Sequence, residues 1–158
     1  MGKTDLLILN FKEVRRRSIK VWKAIPPQLL KWKPDEEALS CADMIRHVIE
    51  GEYLYHQMLI NKGSIEPNSF HNPFEQKEFT TVEEELKFSQ PYRKEFLTYI
   101  KSISNDDLEN GMIDRSDVGY IRPLEDMLLR IAYHESVHTG QLLGYMRTMG
   151  IERSQIWD

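Results

Sequence analysis

The chain has 158 residues, 41% hydrophobic and 29% charged, and its 21 basic and 25 acidic side chains leave a net charge of −4. This length supports one domain with a proper core, the acidic balance argues against a general nucleic-acid binder, and the single cysteine, Cys41, excludes an intramolecular disulfide. No segment approaches the ~20 apolar residues needed to cross a bilayer, and the N-terminal apolar run is too short for a signal peptide, so a cytoplasmic protein with no membrane partner is expected.

Leu7, Phe11, Val14, Val21 and Ile25 recur at helical spacing, with Ser18 inside the stripe. They predict a first helix over 3–24, stopped by Pro26-Pro27. Arg15-Arg16-Arg17 reads as its solvated face, and Trp22 and Trp32 as core or hinge residues beside the break. Ser40 is placed to cap a second helix over about 41–61, with Gly63 as its stop. Met44, His47, Val48, Gly51, Leu54, Tyr55 and Met58 form the stripe expected to face the core, and Gly51 leaves room there for an imidazole. His56 falls on the opposite face and His71 in a loop, which gives both a surface role.

Residues 63–79 have no helical period, and their two prolines and three phenylalanines mark a long connection. A third helix begins at Thr80 or Thr81 and carries Val82, Leu86, Phe96, Leu97, Ile100 and Ile103, with Pro91 expected to kink or split it. Residues 104–122 form a second, polar connection without a sustained strand pattern. Pro123 suits the first position of a fourth helix that runs to Met149 and ends at Gly150, and Trp157 in the short tail is expected to pack. Four amphipathic helices of matching length predict an all-α four-helix bundle, one domain over 1–158.

The chemistry gathers on the fourth helix. His134 and His138, four residues apart, sit about 40° apart around the axis and share one face, a common way to aim two imidazoles at one metal ion. His47, within the apolar stripe of the second helix, is the candidate third ligand. Taken singly, each is as readily a satisfied core or surface histidine, but burying three uncompensated imidazoles together is costly, and the set favours a metal. His134-Glu135-Ser136-Val137-His138 also matches the H-E-x-x-H pattern of zinc proteases, yet no histidine follows His138 and Gly140 stands one position too early for the extended motif. Glu135 is therefore either a polar neighbour of the metal or a surface charge. Gln141, about 20° from His134 around the axis, is a candidate for orienting a metal-bound water or substrate group.

Several stretches together resemble the DinB/YfiT-like superfamily of metalloenzymes. They are Trp32-Lys33-Pro34 with Leu39-Ser40 and Met44-Ile45-Arg46-His47, then Pro123-Leu124, then the run from His134 to Leu142 followed by Tyr145-Met146-Arg147 and Gly150. The resemblance implies an up-down-down-up bundle, often a homodimer, with a divalent ion, usually nickel or zinc, on His47, His134 and His138. The family often carries a second histidine and an arginine where this chain has Val137 and Thr139. Members with known chemistry look like S-transferases and isomerases that use bacillithiol, mycothiol or glutathione. That implies a small-molecule substrate, a low-molecular-weight thiol among the options. Three readings follow: metal-assisted thiol transfer, metal-dependent hydrolysis with Glu135 as base, and a non-catalytic bundle whose metal is structural or sensory.

Overall fold

The computed structural model describes residues 2–158. Its helices are α1 (Lys3–Ala24), α2 (Cys41–Ile60), α3 (Val82–Ser102), the short α4 (Asn105–Asn110) and α5 (Leu124–Met149). An antiparallel hairpin of β1 (Met112–Arg115) and β2 (Tyr120–Pro123) leads directly into α5. Helix α1 packs on α3 and α5, and α2 packs on the same two, so the four long helices enclose a common core. Trp22, Ile45, Ile49, Leu142 and Met146 fill one part of it. Phe11, Leu59, Phe96, Ile100, Met127 and Leu128 fill the part nearer the hairpin.

The helix ends follow local chemistry. Ser40 Oγ accepts the Asp43 N–H at 3.1 Å and Thr81 Oγ1 accepts that of Glu84 at 3.1 Å, each satisfying one orphan donor of a first turn. Gly150, at φ 73°, stops α5 in the left-handed conformation. At the end of α2 that conformation falls to Lys62 (φ 52°) instead. Gly63 is needed for a different reason: a Cβ there would lie 2.7 Å from the Asp114 carbonyl oxygen. The Asp114 N–H in turn donates to the Lys62 carbonyl at 2.9 Å, tying the end of α2 to β1.

Besides the packing of Trp157, four expectations need correction. Residues 104–122 are not a plain connection but contain α4 and most of the hairpin; its strands are four residues long and bury only Ile113, so no alternating pattern shows in the sequence. Helix α3 runs unbroken through Pro91, because packing on both α1 and α2 offsets the lost backbone bond. The buried face of α2 is Cys41, Ala42, Met44, Ile45, Val48, Ile49, Glu52, His56 and Leu59, centred about 100° from the expected stripe, of which only Met44 and Val48 are buried. His56 is accordingly in the core at 4% exposure, whereas Trp157 is 88% exposed.

The fourth correction concerns Arg15, which is buried rather than solvated. Its Nε and Nη2 donate to the two carboxylate oxygens of Glu135 at 2.8 and 3.0 Å, and Nη2 also reaches Glu52 at 3.4 Å. Arg93 pairs with the other side of this cluster, donating to Glu52 and, at 2.7 Å, to the Phe11 carbonyl. One side chain from each long helix therefore meets in the core. Burial pushes the Glu135 carboxyl up, but the Arg15 guanidinium more than compensates and holds it below the usual carboxylate range. Glu52, with a less direct share of Arg15, stays above that range because burial outweighs its two arginines. The Ser18 and Thr139 hydroxyls join α1 to α5 at 2.8 Å one turn further on.

Removing Arg15 leaves two buried carboxylates facing one remaining arginine. Arg15→Met is expected to cost about 3–5 kcal/mol in urea unfolding. Lys3→Ala, which breaks the surface pair with Glu109, leaves the midpoint essentially unchanged, because both partners are solvated.

Candidate metal centre

The site forms where α2 and α5 lie side by side. With Glu135 turned inward onto Arg15, the i,i+4 pair His134 and His138 turns toward α2. With Glu52 turned inward on α2, Gly51 comes against α5 and His47 stands at the edge of the contact. Here Gly51 serves His134 rather than His47: a Cβ on it would lie 3.3 Å from His134 Cε1.

All three Nε2 atoms converge. His134 Nε2 is 3.0 Å from His47 Nε2 and 3.1 Å from His138 Nε2. The three rings pack edge to face, with centroids 4.6–4.9 Å apart. Nitrogens bound to one ion at ~2.0–2.1 Å lie about 2.9–3.4 Å apart for ligand angles between 90° and 109°, so the observed separations suit a single small divalent ion. The donor set supports the same fit. Gln141 Oε1 lies 2.7 Å from His138 Nδ1 and can only accept, so Nδ1 carries the proton and Nε2 presents its lone pair to the centre. His134 Nε2 can donate to one of its two neighbours but not both. At least one pair of nitrogens thus meets lone pair to lone pair or N–H to N–H, a mismatch that three unprotonated Nε2 atoms around one cation would remove.

His134 and His47 are held ready as neutral ligands. Burial, then His138 and His47, bring His134 down to about 4. Burial and then His138 lower His47 as well, against a smaller pull from Glu50. The centre is also more open than its sequence setting suggests. His47 is exposed and the other two are half-buried, so the group sits at the rim of the α2/α5 groove rather than in the core.

The other candidates fall elsewhere. Glu135 does not join the cluster, since both of its oxygens are engaged by Arg15. Gln141 does join, its Oε1 engaged by His138 Nδ1. His71 is on the surface, and Cys41 is fully buried with its thiol pushed up to about 11 by burial, which leaves it unreactive. Of the loop phenylalanines, Phe74 is in the core, where it packs against Phe88 and Tyr92. What the sequence conceals is Arg15, hidden within a basic run, as the residue that sets the rotation of α5.

A profile of the DinB superfamily matches residues 10–142, a span that contains all three histidines. The chain belongs to the DinB superfamily. Its fold also matches the crystal structure of a DinB-like protein, YjoA of Bacillus subtilis, with a TM-score of 0.71 over 96% of each chain at 18% sequence identity. No curated protein matches the chain.

Two outcomes test the geometry of this DinB-superfamily site. A free imidazole protonates near 6.5, whereas folded His134 does so only near 4. Between those values the unfolded chain binds more protons, so the stability of chelator-treated protein falls as pH drops from about 6.5 to about 4. Urea midpoints at pH 7 and pH 5 measure the drop, which is smaller in His134→Gln. Separately, Gly51→Val drives methyl groups into the His134 ring. A loss of about tenfold or more in metal affinity is expected, with the helical circular-dichroism signal unchanged.

Proposed function

We propose that this protein is a metal-dependent transferase, with His47, His134 and His138 as ligands of one nickel or zinc ion and a low-molecular-weight thiol as one substrate. The convergence of three Nε2 atoms at a solvent-accessible rim carries this reading. Three protein ligands leave coordination positions open, as catalytic sites do and closed structural sites do not. A thiol that reaches such an ion gives up its proton readily, because the cation stabilises the thiolate. What the chain itself contributes is placement. Gln141 fixes the His138 tautomer, Gly51 lets α2 approach His134, and burial together with the neighbouring imidazoles keeps His134 neutral.

The same reading takes the four long helices as an up-down-down-up bundle, a single domain, and a homodimer. Leu129, Tyr133 and Val137, large apolar side chains exposed along α5, support the dimer, which light scattering tests. Hydrolysis is the weaker reading because its candidate base, Glu135, is bound bidentately to a buried arginine.

Elemental analysis of untagged protein beside His134→Ala is the decisive first experiment. About one divalent ion per chain, lost in the variant, is expected for a site of this kind. The metal-loaded protein should then consume a cellular thiol in the presence of an alkyl or aryl halide faster than the variant does. Bound metal with no thiol perturbing its spectrum and none consumed would overturn the transferase reading and leave a structural or sensory metal.

A further inference from the structure

One turn before His134 on α5, beside the hairpin, two arginines meet over one aromatic ring. The Arg130 guanidinium lies 5.0 Å from the Tyr120 ring centroid and that of Arg115 lies 5.4 Å from it. Arg115 is half-buried and fixed: Nε donates to Ser64 Oγ at 3.1 Å and Nη1 to the Tyr120 hydroxyl at 2.8 Å. Arg130 is exposed and donates only a long contact to Met127 Sδ.

Neither guanidinium has a carboxylate within ion-pair distance among the described residues, although three stand close by in the sequence. Asp117 is taken by the Ser64 hydroxyl at 2.6 Å, Asp126 lies 3.8 Å from Arg122, and Asp114 accepts the Ser116 N–H at 2.9 Å. Two cations thus share a ring with no direct ion pair, Arg115 reaching Asp117 only through the Ser64 hydroxyl and Arg130 reaching no carboxylate among the described residues. Their free N–H donors are in the fork geometry that binds carboxylates and phosphates bidentately.

Their position relative to the histidines gives the pair a use. Arg130 is four residues before His134 on α5, one turn away and on the same side of the helix. The Tyr55 ring, 6.0 Å from the His134 ring, lies on the facing helix. A small molecule with its reactive group at the histidines and an extended body along the exposed side of α5 therefore brings its far end to Arg130, one to two helical turns or roughly 5–11 Å away.

We propose that Arg130 and Arg115 form an anion subsite that selects substrates carrying a carboxylate or phosphate at that distance from the metal-directed group. This rests on the transferase reading for the identity of the reactive group, but the subsite itself does not need the metal.

The test has two arms. In the first, nickel-loaded protein is titrated with 6-mercaptohexanoate and with 6-mercaptohexan-1-ol, thiols of matched length, and the metal's absorption spectrum is followed. The acid is expected to bind about tenfold or more tightly than the alcohol. Arg130→Met should abolish that preference while leaving the alcohol's affinity unchanged. In the second arm, melting temperatures of chelator-treated protein are measured with succinate and with inorganic phosphate at constant ionic strength. An upward shift is expected in the wild type and not in Arg130→Met, and the anion giving the larger shift identifies the preferred group. Arg115→Lys, which keeps the charge but loses the fork, should reduce both effects with the circular-dichroism spectrum intact. Thiols that fail to bind while succinate or phosphate still stabilises would sink the transferase reading and leave the subsite standing. An equal preference in wild type and Arg130→Met, or no anion effect in either arm, would overturn the subsite.

Discussion

The bidentate contact between Arg15 and Glu135 is the constraint on which the arrangement of this molecule depends. A helix with apolar side chains on much of its surface can rotate about its axis with little change in buried area. Buried charges remove that freedom, because an uncompensated carboxylate in the core is far more costly than a shifted leucine. Glu135 must point at α1 and Glu52 must point at Arg15 and Arg93, which fixes the rotation of α5 and α2 together. Once both are fixed, the residues beside the two glutamates have no choice of direction. His134 and Gly51 each adjoin one of them in sequence, and they end in contact. A core of hydrophobic residues of the same shape could equal the network in stability. It would not hold the helices to one rotation so firmly.

This division of labour explains why the metal-ligand candidates lie at a rim. The core is occupied by the charge network and by apolar side chains, so the imidazoles stand at its edge, close to one another and open enough for solvent to reach them. Full burial would suit a structural metal; this degree of exposure suits exchange at an open position. Gln141 completes the arrangement from within α5, one turn after His138, so two ligands and one orienting group come from a single rigid element.

Much of the fold is legible from the residues alone, because helix boundaries depend on local chemistry. The serine and threonine caps, the terminating prolines and Gly150 act within one turn of where they stand in the chain. The His134–His138 pair is legible for the same reason, since its geometry needs only the helical repeat. The rotation of α2 is not. Leu54, Tyr55 and Met58 read as a core stripe but are only half-buried, while the true core face carries Glu52 and also His56, which reads as surface. Glu52 is buried against Arg15 and Arg93, 37 and 41 residues away, and His56 against the Phe96 and Tyr99 rings, and hydropathy cannot register a distant partner. The meeting of His47 with the α5 pair survives the error because the rotation that carries His47 out of the core carries it to the α5 boundary. The hairpin escapes detection for another reason. Its pairing is set by the close approach of Gly63 to Asp114 and by the turn at Gly119, whereas its four-residue strands bury only Ile113.

That hairpin also determines how the groove is bounded. It is tied to the end of α2 through the Lys62 carbonyl and leads without a break into α5, so the two helices that form the groove are joined at one end through hydrogen-bonded backbone. Opening the groove at that end would mean breaking the link between Asp114 and Lys62, and the core position of Ile113 opposes it. Towards the other end, the edge-to-face contact of Trp32 with Tyr145 and the Tyr145 hydroxyl bond to the Leu39 carbonyl join α5 to the segment before α2. The histidines lie between these two ties. The spacing of their nitrogens is therefore set by secondary structure and its backbone contacts rather than by loop conformation, which is what a centre needs if it is to receive a metal without rearranging.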